Sequence, residues 1–151
     1  MKVSLQKVVN VYVTITAIGK DKSSPKWAYG LAKNKAIIQK DIDGVIAAEK
    51  QIEDAQNERI KYCESIAEKD KNGKPLTEKN ARGQDVYKGI SETDPIIIEH
   101  VEKIKKLNEE YKELLKTEVD IEFYKIDFEE VPGQIAPLDF ENLSVMIKVP
   151  K

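Results

Sequence analysis

One histidine and one cysteine set the limits of chemistry in this chain of 151 residues. His100 follows Glu99 in an apolar-periodic stretch. A helical zinc site built on HExxH needs two histidines, and the paired Glu-x-x-His of a di-iron bundle needs a second as well. As a nucleophile, Cys63 would require a base to form the thiolate and a third group to orient that base. His100 is the sole histidine available for that part, and no orienting group is legible. The plainer reading is a small buried hydrophobe at Cys63 and a surface imidazole at His100. No catalytic residue, metal ligand or cofactor is expected, and the chain is read as non-enzymatic.

Carboxylates are plentiful along the first long helical stretch: Asp41, Asp43, Glu49, Glu53, Asp54 and Glu58. Acid–base work needs two carboxyls in distinct, partly buried surroundings. These lie among lysines and off the apolar stripe, which describes a solvated face. Gly73-Lys74 runs into Pro75 and lacks the spaced glycine of a phosphate loop. The remaining chemistry is electrostatic. Lys20, Lys22, Lys26, Lys33 and Lys35 cluster around Trp27 and Tyr29. Lysines interleaved with aromatics suit an anionic ligand, and a helix N-terminus adds its own preference for anions. Lys22, Lys26 and Lys33 are the candidate anion-binding residues. The plainer alternative is lysines whose stems lie along core aromatics. Trp27 and Tyr29 are two residues apart and cannot share a helix face.

The elements that must position these groups follow from periodicity. VVNVYVTITAI, residues 8–18, alternates β-branched and polar positions and predicts a half-buried strand. Ser24-Pro25 then supplies a helix start. From residue 25 to 69 the pattern is helical, with Leu31, Ile38, Val45, Ile52, Arg59 and Ile66 recurring every seven residues. Residues 70–94, opening on Asn72-Gly73 and Pro75, predict a mobile loop, with residues 86–90 as a candidate short extended piece. Asp94-Pro95 starts a second helix over 95–116. Alternation over 119–126 and the run LSVMIKV over 143–149 predict two more strands. The expected fold is α+β in one domain spanning 1–151. A long, coiled-coil-like antiparallel helical hairpin carries a small antiparallel sheet made by the N-terminal and C-terminal strands.

The two helices differ in length, at about 65 Å and about 33 Å from 1.5 Å per residue. The shorter one cannot cover Trp27, Leu31, Ile38 and Ile42. Either the sheet covers them or a second copy of the chain does, so these four are the candidate interface of a homo-oligomer.

Bulk properties close off several classes. Charged residues make up 34% of the chain, yet the formal net charge is only -2. Nucleic acid is therefore not an expected partner. The N-terminus has no apolar signal core, and no apolar run is long enough to span a bilayer. The lone cysteine fits a reducing compartment. The expectation is a cytoplasmic chain beginning at Met1, with no membrane partner.

KWAYGLAKNKAIIQKDI and ERIKYCESIAEKDKNGKPL resemble small, uncharacterised phage or prophage proteins that combine an AYxLAKN helix with a KDxNGKP turn. The resemblance covers residues 26–76. It implies work by binding, as an antagonist of host defence or an assembly factor, in the host cytoplasm. The functional expectation is thus an oligomeric binding protein that captures a host protein or a small anionic signal. The alternatives are a phage structural or assembly component docking through its helical hairpin, and an accessory protein for nucleic acid.

Overall fold

A computed structural model describes residues 1–19 and 23–150. The chain begins with a short strand, β1 (Lys2–Ser4), followed by helix α1 (Leu5–Ile18) and the long helix α2 (Pro25–Ile66). A hairpin of β2 (Thr77–Lys79) and β3 (Asp85–Tyr87) leads to helix α3 (Pro95–Lys116). After it come β4 (Glu118–Asp120), β5 (Ile126–Asp127), helix α4 (Pro137–Leu143) and β6 (Ile147–Lys148). The fold is α+β, with α2 and α3 packed antiparallel and an N-terminal strand paired to a C-terminal one. Two compact units divide the chain: Met1–Ala47 with Lys112–Lys151, and Ala48–Tyr111.

The first unit holds the main core. β1 pairs antiparallel with β4 in the register Lys2↔Asp120, Val3↔Val119 and Ser4↔Glu118. β5 pairs parallel with β6. The strand expected over 8–18 is helix α1. Its buried residues, Leu5, Val8, Val11 and Ile15, follow three- and four-residue steps, whereas Val13, which alternation places inward, is 59% exposed. Both periods were written into this run of valines and isoleucines. Packing against α2 selected the helical one over β propensity. Ser4 caps the helix by accepting from the Lys7 N–H at 3.1 Å.

The stripe on α2 is covered from within the chain. Trp27, Leu31, Ile38 and Ile42 join one buried cluster with Val8, Val11 and Ile15 of α1 and with Ile121, Phe123, Ile126, Leu143, Met146 and Ile147. That removes the physical reason for placing a second copy on those four residues. The cover lies within the chain, as α1 together with the C-terminal segment, and strands supply part of it through Ile126 of β5 and Ile147 of β6.

Residues 119–126 form an interrupted strand. Only its two ends pair, and buried Asn34 ties the middle to α2. The Asn34 amide donates to Tyr124 O and to Gly30 O, both at 2.9 Å, and its oxygen accepts from Tyr124 N–H at 2.7 Å. One asparagine thus takes the place of a neighbouring strand. A Cβ on Gly30 would run into the Ile126 side chain, so glycine is what lets this segment close on α2. The expected strand over 143–149 is mostly the end of α4 and a 3-10 turn, with only Ile147–Lys148 as β6. Leu143 and Met146, three apart and both fully buried, demand a helical turn rather than alternation.

The second unit contains the C-terminal part of α2, the hairpin and most of α3. Three contacts order the antiparallel helices: Tyr111 donates to Glu49 at 2.6 Å, Lys103 to Glu58 at 3.4 Å, and Tyr62 to Asp94 at 2.9 Å. The expected loop over 70–94 is largely structured. Two equivalent turns stand ten residues apart. In the first, Asp70 Oδ1 accepts from the N–H groups of Asn72 and Lys74, and Gly73 sits at φ +78. In the second, Asn80 Oδ1 accepts from Arg82 and Gln84, and Gly83 sits at φ +75. An Asx side chain that bonds forward, followed three residues later by a glycine free to take positive φ, builds both. Backbone bonds among Glu68, Leu76 and Lys88 then fasten the hairpin to the end of α2.

Candidate functional site

Of the candidate anion-binding lysines, Lys26 and Lys33 line different surface pockets. Lys26 pairs with Glu130 at 3.8 Å. Ser24, which caps α2 by accepting from Trp27 N–H at 3.2 Å, also donates to Glu130 at 2.8 Å. The start of α2 is therefore already served by a carboxylate of the same chain. Lys33 lies over the rings of Tyr124 and Tyr29, at 5.1 and 5.7 Å from their centroids. Lys22 falls outside the described residues. Trp27 is buried while Tyr29 is 56% exposed, so the two aromatics do face apart. Tyr29 and Tyr124 meet edge to face at 5.6 Å, a packing contact in which Lys33 spends its cation–π capacity.

Cys63 and His100 both lie in the second unit and do different things. Cys63 is buried at the floor of a cleft. The His100 ring packs on Tyr62, centroids 5.8 Å apart, and does not line that cleft. Among the described residues, no group of three or more histidine, cysteine, aspartate or glutamate side chains comes together to hold a metal ion, and no helix is long and apolar enough to cross a membrane.

The cleft itself is the site that sequence reasoning missed. It encloses about 510 Å³ between α2, the β2–β3 hairpin and the approach to α3. Its floor and walls are apolar: Ile60, Cys63, Val86, Ile90 and Ile97, with Tyr87 beside them. Ile97 and Cys63 are buried, yet Ile60 is 41% and Val86 38% exposed. Three carboxylates (Glu78, Asp85 and Glu92) and one guanidinium (Arg59) also line it. Asp85 is bound across the hairpin to Lys79 at 2.8 Å. Among the described residues, Glu78, Glu92 and Arg59 form no ion pair.

Hydrogen bonds around the cleft hold its frame. Tyr87 donates to Glu64 at 2.8 Å, which fixes β3 to α2 and pushes the tyrosine pKa up, chiefly through that bond. Asp94 caps α3 by accepting from Ile96 N–H at 2.8 Å and also receives the Tyr62 hydroxyl. The Tyr62 bond is the main cause that lowers the Asp94 pKa, with the backbone donors assisting. Gly89, at φ +85, lets the chain turn from β3 toward α3 where a Cβ would meet the Glu68 side chain at 2.8 Å. The spacing Asp70…Gly73 and Asn80…Gly83, each a turn former three residues ahead of a glycine, was the available sequence signal for this hairpin.

No protein-family model matches the sequence, and no curated protein or solved structure matches it either.

Proposed function

We propose that the protein works by binding another protein rather than by catalysis, and that the cleft of the second unit is where it docks. The supporting observation is an apolar floor left uncovered in a molecule whose other apolar stripe is sealed. A cavity of about 510 Å³, lined by apolar side chains and by the polar Arg59, Glu78, Asn80, Asp85 and Glu92, has the size of a recognition site. Exposed isoleucine and valine beside buried cysteine and isoleucine are what an anchoring side chain from a partner would cover. A host protein as that partner rests on the resemblance of residues 26–76, which contribute Arg59, Ile60 and Cys63, to small phage proteins.

Panning a displayed random-peptide library on the purified protein tests the reading. Enriched peptides should compete with one another and should lose binding to Ile60→Glu and Val86→Glu variants that keep their helical circular dichroism. Absence of enrichment, or peptides that bind those variants unchanged, would overturn it.

A further inference from the structure

We infer that the cleft selects a segment with a bulky apolar side chain flanked by lysine or arginine. This rests on the docking reading above and adds the chemistry of the partner. The apolar part follows from the floor, which Ile60, Cys63, Val86, Ile90 and Ile97 line with carbon and sulfur. The charge follows from the rim. Asp85 is already neutralised by Lys79 at 2.8 Å, so it contributes little outward field. Glu78 on β2 and Glu92 on the approach to α3 are exposed and lack a cation of their own among the described residues. Glu64, the neighbouring carboxylate on α2, is occupied by the Tyr87 hydroxyl. Two free carboxylates therefore stand on the hairpin and linker side of the cleft.

The single opposing charge gives the site a direction. Arg59 is on α2, next to Ile60, and it too has no ion-pair partner among the described residues. A segment entering with its basic residue toward Glu78 and Glu92 meets attraction. One entering with that residue toward Arg59 meets repulsion. Such rim charges set orientation, partner choice and association rate more than they set total affinity. The apolar anchor carries the larger share, since it is the group removed from water.

Synthetic peptides separate this inference from the docking reading. Two peptides share one central leucine or phenylalanine; one carries lysine flanks and the other glutamate flanks. Fluorescence anisotropy at low salt should favour the lysine form by about tenfold, the effect of two partly exposed ion pairs. The preference should shrink as salt rises above the physiological range. In the Glu78→Lys, Glu92→Lys double variant it should vanish or reverse, while Ile60→Glu should weaken both peptides. Equal binding of both peptides to the wild type, with Ile60→Glu still weakening them, would overturn the charge selection and leave docking standing. Binding of neither peptide, together with a failed library selection, would overturn both.

Discussion

Residues 27–45 of α2 and residues 52–67, which run to one residue past its end, both turn apolar side chains to one side, and they end in different surroundings. The first stretch carries Trp27, Leu31, Ile38, Ile42 and Val45, all buried. In the second, the buried positions are Ala55, Cys63 and Ala67, while Ile60 and Ile66 stay exposed. Large side chains fill the space between α2 and its cover. In the second stretch the small Cys63 lines the cleft beside the exposed Ile60. The seven-residue repeat does not reveal this. A straight helix drifts about 20° per heptad against such a repeat, so Arg59 and Ile66 rotate out of the seam and Cys63 and Ala67 rotate in.

The comparison is broken most severely by truncation in the sealed half. Trp27→Ala should cost about 3–5 kcal/mol, and Ile38→Ala about 2–5 kcal/mol, read from urea unfolding midpoints. Val86→Ala should move stability by no more than about 0.5 kcal/mol, as expected of an exposed side chain. Similar costs at Ile38 and Val86 would mean that the wall of the cleft is packed as tightly as the sealed core. The Leu31→Lys, Ile38→Lys pair should abolish folding, because their cover lies within the chain. A folded, smaller species would instead restore these residues as an interface between copies.

Asn34 gives the next effect. Asn34→Leu leaves the part-buried Tyr124 N–H and O without their partner, at about 0.5–1.5 kcal/mol for each hydrogen bond lost. Two glycines on the same helix should then respond with opposite signs. Gly30→Ala drives a methyl into Ile126 and should destabilise by about 1–3 kcal/mol. Gly44→Ala meets nothing within 4 Å and should stabilise the helix by up to about 1 kcal/mol. Thermal unfolding of the two variants reads both signs at once.

Much of this was legible in the sequence, and the rest was hidden for identifiable reasons. Ser24-Pro25 and Asp94-Pro95 announced α2 and α3, because capping is local and needs no tertiary partner. The uncovered stripe at Trp27 to Ile42 announced that a further element must pack there. Which element was not legible. Leu5, Val8, Val11 and Ile15 form a helical face inside a sequence that also alternates, and only α2 decides between the two. Asn34 read as an interruption of the seam. Its role depends on Tyr124, ninety residues away. Lys26 read as a free cation until Glu130 came beside it. The cleft joins three segments that no spacing connects.

The smallest expected effects are pH dependences in the second unit. The Asp94 pKa is lowered by Tyr62, so its contribution is present above the ordinary aspartate value of about 3.9 and is lost as pH falls through the lower folded value. Tyr62→Phe should therefore flatten the loss of stability as pH falls below the ordinary aspartate value. Tyr111 behaves oppositely. Burial, with help from Glu49, raises its pKa to about 12. Its contribution is whole below the ordinary tyrosine value of about 10 and fades as pH climbs toward the folded one. Tyr111→Phe should remove that alkaline slope, as unfolding midpoints on either side of it would register.

The central claim is that one continuous helix serves a sealed core with its N-terminal stretch and an open docking cleft with its C-terminal stretch. Hydrogen–deuterium exchange, with and without a peptide selected on the wild-type protein, tests it most directly. In the free protein, amides of residues 27–45 should exchange far more slowly than those of residues 59–67 and 76–90. On adding the peptide, protection should rise in residues 59–67 and 76–92 and stay unchanged in residues 27–45 and 121–147. Equal protection along α2 in the free protein, or protection gained in the first unit instead of around the cleft, would contradict the account.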